Sequence, residues 1–173
     1  MQVGGGIRSE SVIEGYLEAG VSQVIVGTRA IEEPAFLEAI AAAYPEKVIL
    51  GLDARDGRLA TAGWDETSSR TAVAFAEWAG HLPIAAIVYT DIERDGMLTG
   101  VNAAATVTLA EAAGVPVIAS GGVSDLADLT ALKAAFRGSS GTLLGAITGR
   151  AIYAGTLDFR AGQALLDRDP PGA

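Results

Sequence analysis

The chain has 173 residues, half of them apolar and 19% charged, a balance that excludes the disordered class and suits a single globular core. Its 22 glycines have no period of three, which excludes collagen, and 12 basic against 21 acidic residues leave a net charge of −9. Nucleic acid and anionic membrane are therefore poor partners, since both call for a basic face. There is no Cys, and His81 is the only histidine, so disulfides, thiolate metal sites and a Cys nucleophile are excluded and any Ser-His-Asp triad would have to run through His81. No apolar run reaches about 18 residues, and residues 1–15 carry Glu10 and Glu14 without an apolar stretch, so neither a transmembrane helix nor a signal peptide is expected and the cytoplasm is the expected location.

In chain order, β-branched runs alternate with Ala/Leu/Glu segments of helical spacing. Strands are predicted at Gln2–Gly6, Ser22–Gly27, Lys47–Asp53, Ile84–Asp91, Val115–Ser120 and Thr142–Gly149; their near-continuous apolar character fits a parallel sheet covered on both faces. Helices are predicted at Glu10–Ala19, Glu33–Ala43, Ser69–Gly80, Ala103–Ala113 and Leu126–Phe136. The N-cap candidates are Ser9 or Ser11, Ser68 or Ser69, Asn102, and Ser124–Asp125, and Gly20, Gly80 and Gly114 follow helix ends. This β-α order implies an α/β fold with right-handed crossovers.

Five repeats between residues 2 and 142 average about 28 residues each, close to the roughly 31 of one unit in an eight-unit (β/α)₈ barrel. The chain is thus read as six βα units of a TIM barrel over residues 1–166, the third to the eighth, with a polar Pro-rich tail at 167–173. Its N-terminus looks cut and its C-terminus complete, and the open sheet edges at Gln2–Gly6 and Thr142–Gly149 invite self-association. An internal repeat favours the barrel over an open sheet. Val3-Gly4-Gly5-Gly6-Ile7 matches Ala119-Ser120-Gly121-Gly122-Val123, and Val26-Gly27-Thr28 on the following strand matches Thr148-Gly149-Arg150.

Glycine at a strand's C-terminal end lets backbone N–H groups approach an anion. Gly5, Gly6, Gly27 and Thr28 would form one phosphate corner and Gly121, Gly122, Gly149 and Arg150 a second, half a barrel away. Tight βα turns alone would explain one such glycine pair; the duplication points to a long substrate with a phosphate at each end. Asp53 and Asp91 close apolar strands at the end where barrel active sites lie, with Thr90 beside Asp91. Either carboxylate could instead cap a helix or pair with Arg55 or Arg94. Asp95-Gly96 reads as a turn, or as part of an ordered loop at the barrel mouth with a role in the site. Trp64, in the loop after the Asp53 strand, could stack on a flat ring or plug the barrel end. Trp78 shares a helix face with Phe75 and reads as core, and His81 reads as a solvated loop residue at the far end, which removes the triad.

Val-Gly-Gly-Gly-Ile-Arg (3–8), Val-Gly-Thr (26–28), Gly-Leu-Asp (51–53), Gly-Trp (63–64), Tyr-Thr-Asp-Ile-Glu-Arg-Asp-Gly-Met-Leu-Thr-Gly-Val-Asn (89–102), Ile-Ala-Ser-Gly-Gly-Val (118–123) and Gly-Ala-Ile-Thr-Gly-Arg-Ala-Ile-Tyr (145–153) occur in order. Together they resemble the histidine-biosynthesis isomerases that act on phosphoribosylformimino-aminoimidazole carboxamide ribotide. The resemblance implies a two-halved (β/α)₈ barrel, monomeric at full length. It also implies an Amadori rearrangement of a bis-phosphorylated aminoaldose to an aminoketose, using no metal and no cofactor. An acid opens the sugar ring and a base removes the C2′ proton. It places the acid at Asp53, assisting groups at Thr90 and Asp91, and a ligand-covering aromatic at Trp64. The family's base is an Asp on the first barrel strand, and no Asp precedes Asp53 here, so the chain by itself is expected to be inactive or very weak. The sister cyclase of the same pathway and a dual-substrate isomerase also serving tryptophan synthesis are the related alternatives; a non-catalytic phosphate-binding partial barrel is the alternative of another class.

Overall fold

A computed structural model describes residues 1–61 and 66–168. Its strands are β1 (Gln2–Gly4), β2 (Gln23–Val26), β3 (Val48–Arg55), β4 (Arg58–Thr61), β5 (Glu66–Thr71), β6 (Ala86–Asp91), β7 (Val117–Ser120) and β8 (Leu143–Ala146). Its helices are α1 (Glu10–Glu18), α2 (Thr28–Glu32), α3 (Pro34–Ala43), α4 (Ala72–Ala79), α5 (Ala103–Ala113), α6 (Leu126–Ala135), α7 (Arg150–Ala154) and α8 (Phe159–Asp167). Six parallel strands run in the order β1-β2-β3-β6-β7-β8, the sheet of a partial (β/α) barrel.

Strand residues alternate between two faces. Val24, Val26, Val48, Leu50, Leu52, Ile87, Tyr89 and Val117 belong to the large core under the helices, with Ile13, Leu37, Ile40, Phe75 and Leu109. Ile49, Ala86, Val88 and Ile118 form a separate cluster on the opposite, inner face. The strands thus need apolar residues at successive positions, which is why their sequences read as unbroken apolar runs.

The segment after β3 departs from expectation. Residues 69–71, assigned from sequence to a helix, lie in β5, the outer strand of an antiparallel hairpin whose inner strand β4 pairs with the end of β3. The turn between β3 and β4 is Asp56-Gly57, with φ of +49° and +72°, conformations that Asp and Gly adopt most readily. The helix begins only at Ala72, with Thr71 rather than Ser68 or Ser69 as its cap, its side chain accepting from the Ala74 N–H at 3.3 Å. Ser9 occupies the N-cap position of α1 but makes no capping bond, whereas Asn102 and Asp125 cap α5 and α6 as expected. Helix α8, capped by Asp158, was not anticipated and continues through Asp167.

Gly80 ends α4 in an ordinary right-handed conformation, and its role is close approach rather than a left-handed cap. A Cβ there would lie 1.8 Å from the Ala113 carbonyl oxygen, so α4 and α5 would have to move apart. Gly80→Ala is expected to cost about 1–3 kcal/mol, read as a lowered urea midpoint with an unchanged slope. Trp78 packs on Phe75 with ring centroids 5.0 Å apart, and His81 is exposed, both as expected. Among the described residues no helix is long and apolar enough to cross a membrane.

Candidate functional site

The two glycine corners have nearly the same backbone. After β1, Gly5 and Gly6 take φ of +98° and +67°; after β7, Gly121 and Gly122 take +90° and +88°. On each following strand a glycine in an unusual conformation opens a short helix: Gly27 (φ −114°, ψ −104°) before α2 and Gly149 (φ −113°, ψ −89°) before α7. The repeated sequence therefore encodes a repeated local geometry, and the corners stand four strand steps apart in the sheet.

Each corner borders a cavity. The first, of about 250 Å³, is lined by Gly5, Gly6, Gly27, Thr28, Arg29 and Asp53, and by Arg8. The second, of about 300 Å³, is lined by Gly121, Gly122, Gly149, Arg150, Ser120 and Asp95. Strand register joins them. Asp53 is the neighbour of Thr90, and Thr90 of Ser120, across β3, β6 and β7. These three share the inner-face parity of Ile49, Val88 and Ile118. Asp53 lines one cavity and Ser120 the other, with Thr90 between them on a row about 10 Å long. A larger concavity of about 590 Å³ runs beside β8, past Phe136, Leu144 and Gln163, and contains none of these groups. Its one ammonium, Lys133 Nζ, donates to the carbonyls of Leu165, Leu166 and Arg168.

Asp91 stands apart from this row. It is one residue beyond Thr90, hence on the opposite face of β6, and it lines neither cavity. Its Oδ2 accepts from Asn102 Nδ2 at 2.7 Å and lies 3.6 Å from Arg94 Nε; its Oδ1 accepts from the Glu93 N–H at 3.2 Å. The Arg94 pairing weighed as its alternative role is what the structure contains. Burial, reinforced by the Asp91 carboxylate, raises the pKa of the Tyr89 phenol on that outer face, so Tyr89 stays protonated. Trp64 lies outside the described residues.

Sequence reasoning missed Arg8, Arg29 and Ser120. Each lies within two residues of a corner glycine in the sequence, which was the available signal. Arg29 pairs with Glu33 at 2.7 Å and sits over the Phe36 ring, 5.5 Å from its centroid, while its Nε is buried without a hydrogen-bond partner among the described residues. Those residues contain no group of His, Cys, Asp or Glu arranged to hold a metal ion.

Residues 1–158 match the family model described as histidine biosynthesis protein. The chain is 52% identical over 168 residues to a protein of Cellvibrio japonicus, 52% over 167 residues to one of Hahella chejuensis and 52% over 169 residues to one of Pseudomonas savastanoi pv. phaseolicola. All three are named 1-(5-phosphoribosyl)-5-((5-phosphoribosylamino)methylideneamino) imidazole-4-carboxamide isomerase. These matches take in 96%, 96% and 98% of this chain and 68%, 67% and 68% of the respective relatives, so the chain spans about two thirds of their length.

Proposed function

This chain belongs to the histidine biosynthesis protein family, and from that premise we propose that it carries the binding frame and one proton-transfer group of an aldose–ketose isomerase acting on a bis-phosphorylated ribotide. The observation that carries the proposal is the pair of matched corners with Asp53 and Thr90 between them. Two anion sites fix a long ligand at both ends, so that its middle is held over Asp53. The relatives' printed name contains two phosphoribosyl groups, one for each corner. At the first corner, backbone N–H groups, the Thr28 hydroxyl and the unsatisfied Arg29 Nε offer donors; at the second, Arg150 adds a cation.

In this reading Asp53 is the acid that protonates the ribose ring oxygen as the C1′–O bond opens. The Thr90 hydroxyl orients the opened sugar, and a second carboxylate removes the C2′ proton to complete the aminoketose. Fixing both phosphates holds the reacting carbons against these groups, where orientation contributes most. The resemblance assigns the second carboxylate to the family's first barrel strand, and no Asp precedes Asp53 in this sequence. A cytoplasmic setting belongs to the same proposal and rests on the cysteine-free composition.

The test is a fusion that joins the unmatched third of the Cellvibrio japonicus isomerase to this chain. Conversion of the aminoaldose to the aminoketose, followed by absorbance, is expected. A folded fusion that binds the ligand without converting it would contradict the isomerase and favour a binding module.

A further inference from the structure

The two corners share a backbone but not their surroundings. A Cβ placed on Gly5 or Gly6 would meet nothing within 4 Å. One on Gly121 would lie 2.4 Å from the Asp91 carbonyl oxygen, and one on Gly122 would lie 2.4 Å from the Gly100 carbonyl oxygen and 2.9 Å from Arg94 Cβ. The β6–α5 connection, residues 92–102, is therefore pressed against the second corner alone.

That connection is fastened at several points. Asn102 Nδ2 bonds Asp91 Oδ2 across its two ends at 2.7 Å. Arg94, beside the same carboxylate, donates through Nη1 to the Gly100 carbonyl at 3.0 Å, and the Gly100 N–H donates to the Gly122 carbonyl at 3.0 Å. Arg150 Nη1 donates to the Gly96 carbonyl at 2.5 Å, tying the loop to the start of α7. Contacts thus run from Asp91 through Arg94 and Gly100 to the turn that would hold the phosphate.

We propose that Asp91 and Asn102 are a positioning pair, a latch that closes the loop ends and holds Arg94 and Gly100 against Gly122, so that the second corner is set for its anion before the ligand arrives. This rests on reading the corners as phosphate sites. Among the described residues the first corner has no such latch, which makes it an internal control.

The experiment uses the 173-residue chain, titrated with inorganic phosphate and followed by ¹⁵N amide shifts at Gly5, Gly6, Gly121 and Gly122, with hydrogen exchange of the Gly100 N–H read in parallel. Asn102→Asp keeps an acceptor for the Ala105 N–H but sets two carboxylates together, and Asp91→Ala removes the latch without adding charge. Each is expected to weaken phosphate at Gly121 and Gly122 by about tenfold and to speed Gly100 exchange by about as much, leaving Gly5 and Gly6 within about twofold. The exchanged pair Asp91→Asn/Asn102→Asp, in which the amide of residue 91 donates to the carboxylate of residue 102, is expected to restore both readings. Equal weakening at both corners, loss in Asn102→Asp but not in Asp91→Ala, or no restoration by the exchanged pair would overturn the latch. If phosphate shifts neither corner of the unaltered chain, the phosphate reading itself fails, and with it the latch's bearing on binding. Gly100 exchange unchanged by Asp91→Ala would overturn the latch independently of any ligand.

Discussion

Asp53→Asn is expected to lower the rate of isomerisation in the fused enzyme by about a thousandfold, within the usual contribution of one general acid or base. Asn preserves the size and most of the hydrogen-bonding capacity of the side chain but cannot deliver a proton at neutral pH. Asp53 lines the first cavity and shares its row with Thr90 and Ser120, while Asp91 is committed to Asn102, Arg94 and the Glu93 N–H on the outer face and Asp95 lines the second cavity. The loss should therefore fall on kcat, with KM within about twofold, because the phosphates are held by the glycine turns and their neighbouring donors rather than by this carboxylate. A variant in which KM rises and kcat is retained would make Asp53 a binding group and remove it from the proton-transfer role.

The second large effect separates the corners by their surroundings. Gly122→Ala places a methyl group 2.4 Å from a backbone carbonyl oxygen at a φ of +88°, whereas Gly6→Ala, at +67°, meets open space. Gly6→Ala should cost only the backbone strain, about 1 kcal/mol. Gly122→Ala adds displacement of the Gly100 strap and should cost about 3 kcal/mol in total. Urea unfolding of the two variants measures the difference; equal costs would mean that the β6–α5 loop does not bear on the corner. Phosphate affinity at Gly121 and Gly122 should fall with the stability, while the first corner of Gly122→Ala keeps its affinity.

Much of this frame is legible in the sequence because the central parallel strands are apolar on both faces and the corner turns are marked by glycine. The run Ser22–Gly27 trims to Gln23–Val26 and Val115–Ser120 to Val117–Ser120, differences confined to ends. The hairpin was missed because β5 is Glu-Thr-Ser-Ser-Arg-Thr, with no apolar alternation to mark a strand, although Asp56-Gly57 carries the turn signal. Helix α8 was missed because it is short and holds Gly162, a helix-weakening residue, at its centre, although Leu165 and Leu166 pack on the cluster around Val123 and Leu129. The two corners were legible because their glycines repeat in order. Thr90 and Asp91 could not be separated by type or position in the motif, but strand parity separates them: neighbouring residues cannot share a face, and pairing of Asp53 with Thr90 decides which one turns inward. The Asn102 bond to Asp91 spans 11 residues, a distance at which sequence shows a helix cap and hides its second partner.

If two matched corners hold one ligand, titrating the 173-residue chain with the aminoaldose ribotide moves the amides of both glycine turns in one event. One ligand per chain, shifting Gly5, Gly6, Gly121 and Gly122 together with a single affinity, is the predicted result. Two ligands per chain, or shifts confined to one corner at saturation, would contradict it.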